Sequence, residues 1–127
     1  MARFVRFMDA QGPAYGRVEN GAVQLLSGTP FGEWAPTGDS RPLEGLELLP
    51  PCVHTTLLAV GFNYRDHAEE FNHPIPTEPN IFIKPLSCLA APGQAVLCPR
   101  ELTKQVEYEA ELVIVIGRRA RHVYKLV

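Results

Sequence analysis

At 127 residues the chain can form one ordinary domain with its own core but not two large ones. Apolar residues make up 46% and charged residues 20%, a balance that excludes a disordered or low-complexity chain. Twelve Lys and Arg against fourteen Asp and Glu give a net charge of -2, and the basic residues are scattered apart from the short run Arg118, Arg119 and Arg121, so no nucleic-acid partner is expected.

The opening run MARFVRFMDAQG carries charge inside its first apolar stretch, and no segment approaches the roughly 18 consecutive apolar residues of a membrane span. A soluble, cytoplasmic protein with no membrane partner is expected. Cys52, Cys88 and Cys98 are odd in number and lack close metal-ligand spacing, which fits reduced thiols in a cytosol-like compartment.

Residues 1–54 read as a small β-rich domain. Phe4, Val5 and Phe7 open a first strand and residues 15–18 make a second. Asn20-Gly21 is a short hairpin signal that leads into a third strand at residues 23–26, so a three-stranded meander is predicted. Residues 28–42 are rich in Gly, Pro, Ser and Thr, with Trp34 as an apolar anchor, and predict a long surface connection. Residues 46–49 predict a short strand, after which Pro50-Pro51 marks a boundary.

Residues 55–127 have a different texture. A buried strand is predicted at residues 56–60, leaving through Gly61, a residue suited to a positive φ. Asn63 is the expected N-cap of a short helix, and Asp66 complements the dipole in its first turn. Pro74, Pro76 and Pro79 forbid continuation, so the helix sits on a proline-rich loop. Strands are predicted at residues 80–84, ending at Pro85, and at residues 95–98, beyond a loop containing Pro92-Gly93. Cys88 and Cys98 read as small buried residues rather than nucleophiles, while His54, His73 and His122 have no partners at useful spacing.

The most informative stretch is residues 105–117, QVEYEAELVIVIG. Read as a strand, it puts Val106, Tyr108, Ala110, Leu112, Ile114 and Ile116 on one apolar face that belongs in a core. The opposite face begins Glu107, Glu109, Glu111. Residues two apart in a strand lie roughly 7 Å apart, so two such carboxylates can converge on one point above the sheet. Like charges so placed need a counter-charge, which a hard divalent cation such as Mg2+, Mn2+ or Ca2+ supplies. The alternative is an acidic strand start facing solvent.

Two further features could carry chemistry. His67 and Glu70 are three apart and share one face of the predicted helix. A carboxylate beside an imidazole fixes its tautomer and raises its basicity, as in a general base; the same spacing also occurs in solvated surface pairs. Lys84, at the end of an apolar strand, either presents its ammonium to a substrate carboxylate or snorkels its stem over apolar neighbours. There is no Gly-rich phosphate loop, no G-x-S-x-G elbow and no zinc motif.

Taken in order, G-F-N-Y-R-D-H-A-E-E (residues 61–70), I-F-I-K-P (81–85) and V-E-Y-E-A-E-L-V-I-V-I-G (106–117) closely resemble the catalytic half of the fumarylacetoacetate hydrolase family. F-V-R-F followed by Y-G-R-V-E-N-G-A-V resembles the small leading domain of its bacterial-type members, the group that includes hydroxyheptadienedioate isomerases and acylpyruvases. The resemblance covers nearly the whole chain. It implies a mainly β fold with short helices: a small N-terminal β domain, then the first part of a mixed β-sandwich or barrel that is incomplete here.

The resemblance also implies roles. Glu109 and Glu111 would bind Mg2+ or Mn2+, with Glu107 outside the ligand set; His67 and Glu70 would activate water when the helix closes over substrate; Lys84 would contact substrate. Family substrates are 2-oxo or 1,3-dicarbonyl carboxylates, cleaved, decarboxylated or isomerised through an enolate, and the complete protein is expected to be a homodimer. Family members continue well beyond residue 127 and carry a third metal ligand there, an Asp. The 127 residues alone are therefore expected to be inactive and to bind metal weakly, the alternative being a non-catalytic binding or dimerisation module.

Overall fold

In the computed structural model, which describes residues 1–123, the N-terminal meander forms because two tight turns suit the twist of the strands they join. β1 (Arg3–Asp9) pairs antiparallel with β2 (Gly12–Glu19), from Arg3 opposite Val18 to Asp9 opposite Gly12. β2 pairs with β3 (Ala22–Leu26) across Asn20 and Gly21, whose φ values of 48° and 78° are the two successive left-handed conformations that Asn-Gly adopts at low cost.

Two more strands complete this sheet. β4 (Pro36–Pro42) pairs with β3, and β5 (Leu48–Leu49) pairs with β1, giving the order β4-β3-β2-β1-β5, antiparallel throughout. β5 falls within the predicted residues 46–49. β4 corrects the reading of residues 28–42 as connection only. Its sequence, PTGDSRP, has no apolar alternation because it is an edge strand held by backbone pairing, exposed except at Arg41, with a proline at each end. Trp34 does act as an anchor, edge-on to Phe4 at 5.5 Å.

The core of this sheet is Phe7 and Val23, both fully buried, with Val18. Val5, Ala14, Leu25, Leu43, Leu46 and Leu48 pack around them. Gly16 makes that packing possible. A Cβ there would sit 2.1 Å from Val23 Cγ1 and 3.3 Å from Phe7 Cε1, so the missing side chain is the space that the two core residues occupy. At the rim, Arg41 of β4 donates from Nε and Nη2 to the two carboxylate oxygens of Asp9, at 3.1 and 3.2 Å, a bidentate clasp from the edge strand to the end of β1.

The chain divides into two compact units, Met1–Cys52 with the segment from Ala91 onward, and Val53–Ala90. The second is built on β6 (Leu57–Gly61) and β7 (Asn80–Lys84), an antiparallel pair running from Leu57 opposite Lys84 to Gly61 opposite Asn80. β7 has the predicted bounds. β6 is only half-buried, with Leu58 exposed, because its one strand neighbour among the described residues is the exposed β7.

Helix α1 (Arg65–Glu70) lies between these strands and differs from expectation at its start. The left-handed residue is Phe62, at φ 50°, rather than Gly61. The N-cap is Tyr64, extended at φ -107° and with no side-chain cap bond, so Asn63 stands one place too early to cap. The other end is well closed. Asn72, at φ 50°, and His73 donate their backbone N–H groups to the carbonyls of Glu69 and Ala68 at 3.0 and 2.8 Å, the paired bonds of a Schellman motif, and Pro74 follows.

Beyond a 3-10 turn at Leu86–Cys88, the described residues contain no further strand. Residues 95–98 are irregular, and residues 105–117 take part in no ladder. The apolar row read as core lies in solvent instead: Tyr108 is 98% and Leu112 82% exposed, with Val106, Ala110, Ile114 and Ile116 also exposed. Alternation decides which face of a strand is apolar, but a strand exists only where a neighbouring edge accepts its backbone groups, and the described residues supply none in register. For the same reason Cys88 and Cys98 are exposed rather than buried; Cys52 is half-buried, and no disulfide joins any of the three among the described residues. No helix among the described residues is long and apolar enough to cross a membrane.

Candidate functional site

Helix α1 brings His67 and Glu70 together. Their spacing places His67 Nδ1 3.8 Å from Glu70 Oε2, inside ion-pair range and outside hydrogen-bond range. The two ends of this pair differ in setting. The His67 side chain is 32% exposed and the Glu70 carboxylate 74%, so the imidazole is held by protein while its partner is largely solvated.

Aromatic rings pack on the imidazole. Phe62 stacks on His67 with ring centres 5.4 Å apart and planes at 27°, and Phe71 meets His67 edge-on at 5.0 Å. Phe62 also stacks on His73 at 4.1 Å and 11°. Sequence spacing leaves His73 without a partner, and the structure corrects that. Nδ1 of His73 lies 2.8 Å from the Pro74 carbonyl oxygen, which can only accept, so this nitrogen carries the proton. The His67 to Phe71 contact follows from i, i+4 spacing on a helix and was legible in the sequence. The part played by Phe62 was not, because it depends on a left-handed backbone turn ahead of the helix.

Lys84 ends β7 opposite Leu57, at the far end of the β6-β7 ladder from Gly61, where the chain leaves for α1. Its ammonium is exposed and sits 6.0 Å from the centre of the Phe82 ring, a cation–π contact along its own strand. Lys84 is thus available to an anionic group.

Glu109 and Glu111 lie in the other unit, both exposed, on the segment that forms no ladder. Glu107 accepts a hydrogen bond from the Gln105 amide. The donor chemistry of Glu109 and Glu111, carboxylate oxygens two residues apart, suits a hard divalent cation that takes oxygen ligands. No group of three or more His, Cys, Asp or Glu among the described residues is arranged to hold a metal ion.

Residues 2–51 match the family Rv2993c-like, N-terminal, and residues 56–126 match Fumarylacetoacetate (FAA) hydrolase C-terminal. The chain is 42% identical over 86 residues to an uncharacterized protein of Archaeoglobus fulgidus, an alignment that spans 68% of this chain and 34% of that one. It is 40% identical over 90 residues to the homoprotocatechuate catabolism bifunctional isomerase/decarboxylase of Escherichia coli, over 69% of this chain and 21% of the relative. The crystal structure of 2-hydroxyhepta-2,4-diene-1,7-dioate isomerase from Mycobacterium marinum is similar with a TM-score of 0.52 and 29% identity, over 67% of this chain and 32% of that one. The chain spans about a third of the length of the first of these relatives.

Proposed function

Because the chain belongs to the fumarylacetoacetate hydrolase family, we propose that the complete protein is a divalent-metal-dependent hydrolase, isomerase or decarboxylase of 2-oxo or 1,3-dicarbonyl carboxylates. The observation that carries the proposal is the His67 and Glu70 pair, 3.8 Å apart on a helix whose imidazole is backed by aromatic rings. The names of the Escherichia coli and Mycobacterium marinum relatives, an isomerase/decarboxylase and an isomerase, support the reaction class.

His67 acts as the general base, taking a proton from water or from the carbon next to a carbonyl, and Glu70 stabilises the imidazolium that results. Lys84 pairs with a substrate carboxylate. Glu109 and Glu111 would hold Mg2+ or Mn2+, or Ca2+ in a structural role, and a bound ion would supply Lewis-acid polarisation of the substrate's keto oxygen. Residues 1–54 form the leading domain and residues 55–127 the first part of the catalytic one. A homodimer in the cytoplasm is the expected assembly and location.

The test uses the complete protein with Mn2+ or Mg2+ and acylpyruvates, oxaloacetate and hydroxymuconate-type dienoates as substrates. Turnover of one class, lost on His67→Ala with Mn2+ binding retained, supports the assignment. No turnover of any of them, or equal loss of fold in His67→Ala and Glu109→Ala, sinks it.

A further inference from the structure

Glu70 cannot be what fixes the orientation of His67. At 3.8 Å it makes no hydrogen bond to the ring, and its carboxylate is mostly in water, where it is free to swing. The imidazole is instead bounded by a ring face from Phe62 and a ring edge from Phe71. Phe62 is in turn fixed from two sides. Its edge-to-face contact with Phe71 spans 6.5 Å, and its closest stacking partner is His73, at 4.1 Å and 11°.

His73 is itself anchored, through its backbone N–H to Ala68 O and its Nδ1–H to Pro74 O, both at 2.8 Å. The ring stacked on His67 thus rests on a residue that the C-terminal closure of α1 anchors. The backbone adds a second, independent observation. Phe62 sits at φ 50°, a left-handed conformation that disfavours a bulky side chain and suits glycine or asparagine. An aromatic residue kept at such a position is kept for its ring.

We propose that Phe62 is a positioning residue for His67, and that His73 is the platform on which Phe62 rests. The inference rests on the general-base role given to His67 above. The ring face holds the imidazole in one rotamer, so that the base meets its proton without first having to be ordered, an advantage expressed in kcat rather than in KM.

The experiment compares Phe62→Leu, Phe62→Gly and Phe62→Tyr in the complete protein by two readouts. One is the side-chain NMR signal of His67, which senses the ring current of a stacked neighbour; the other is steady-state kinetics. Phe62→Gly relieves the left-handed backbone while removing the ring, so it separates loss of the stack from loss of fold. The Leu and Gly variants should move the His67 resonances toward their unstacked positions and lower kcat about tenfold or more with little change in KM. Phe62→Tyr, which keeps the ring, should restore both. Unmoved His67 resonances in the Leu and Gly variants, or a kcat that does not depend on the ring, overturn the proposal. Resonances that move in a protein whose turnover is the same with and without His67 overturn the base assignment instead, and leave the stack as architecture only.

Discussion

His67 and Glu70 face each other across one turn of α1 with 3.8 Å between Nδ1 and Oε2, a distance inside ion-pair range and too long for a hydrogen bond. The two residues should therefore be unequal in effect. His67→Ala is expected to lower kcat by about 10²- to 10⁴-fold, the range of a lost general base, and Glu70→Gln by roughly tenfold. Stopped-flow or steady-state assays of the complete protein check the order. A larger loss for Glu70→Gln would make Glu70 the base.

Glu109 and Glu111 provide two carboxylates where an octahedral ion needs six ligands. The 127-residue chain by itself should bind Mn2+ weakly, and Glu109→Gln with Glu111→Gln should abolish what binding there is. Electron paramagnetic resonance of free Mn2+ during titration measures both. Tight binding that survives the double substitution would place the site elsewhere.

Gly16 lies where a side chain would run into the core. Gly16→Ala brings a Cβ within 2.1 Å of Val23 Cγ1 on a buried residue that cannot swing aside, so the N-terminal sheet should lose about 1–3 kcal/mol. Gly12→Ala, where no atom lies within 4 Å of the added Cβ, tests a different cost, that of the left-handed φ of 111° alone. Urea denaturation followed by tryptophan fluorescence compares the two, since Trp34 reports on this sheet through Phe4.

Asn72 closes α1 in a left-handed conformation at φ 50°. Asn72→Gly should leave the helix as stable or slightly more so, while Asn72→Ala should cost about 1 kcal/mol because a Cβ is disfavoured there and Ala lacks the local hydrogen bonding that suits Asn to it. Because His73 follows directly and supports Phe62, Asn72→Ala should also loosen the His67 ring. Thermal melts of the three proteins, with the His67 NMR signal recorded alongside, show whether both effects travel together.

Much of the fold was written in local signals. Asn20-Gly21 forced a hairpin, and Pro85 ended β7 where expected. β4 escaped because an edge strand held by backbone bonds needs no apolar pattern, and PTGDSRP shows none. Residues 105–117 erred in the other direction, with a strong strand pattern and no partner edge among the described residues. At the candidate site, the spacing of His67, Glu70 and Phe71 on one helix was readable. The stack of Phe62 between the helix and His73 was not, since it is created by backbone turns at Phe62 and Asn72 that no periodicity encodes.

Three of the four pairings in the five-stranded sheet join consecutive strands, and the widest pairing joins Arg6 to Leu49. At roughly 5–20 residues per second a ribosome takes seconds to add the next fifty residues, whereas a small antiparallel sheet of this kind closes in milliseconds to seconds. The five-stranded sheet, all of it within residues 3–49, can thus settle during translation, before the acidic segment has been synthesised. It would then stand as a finished nascent sheet while the remaining polypeptide is made, which makes it a candidate for separate expression and for serving as a solubilising leader.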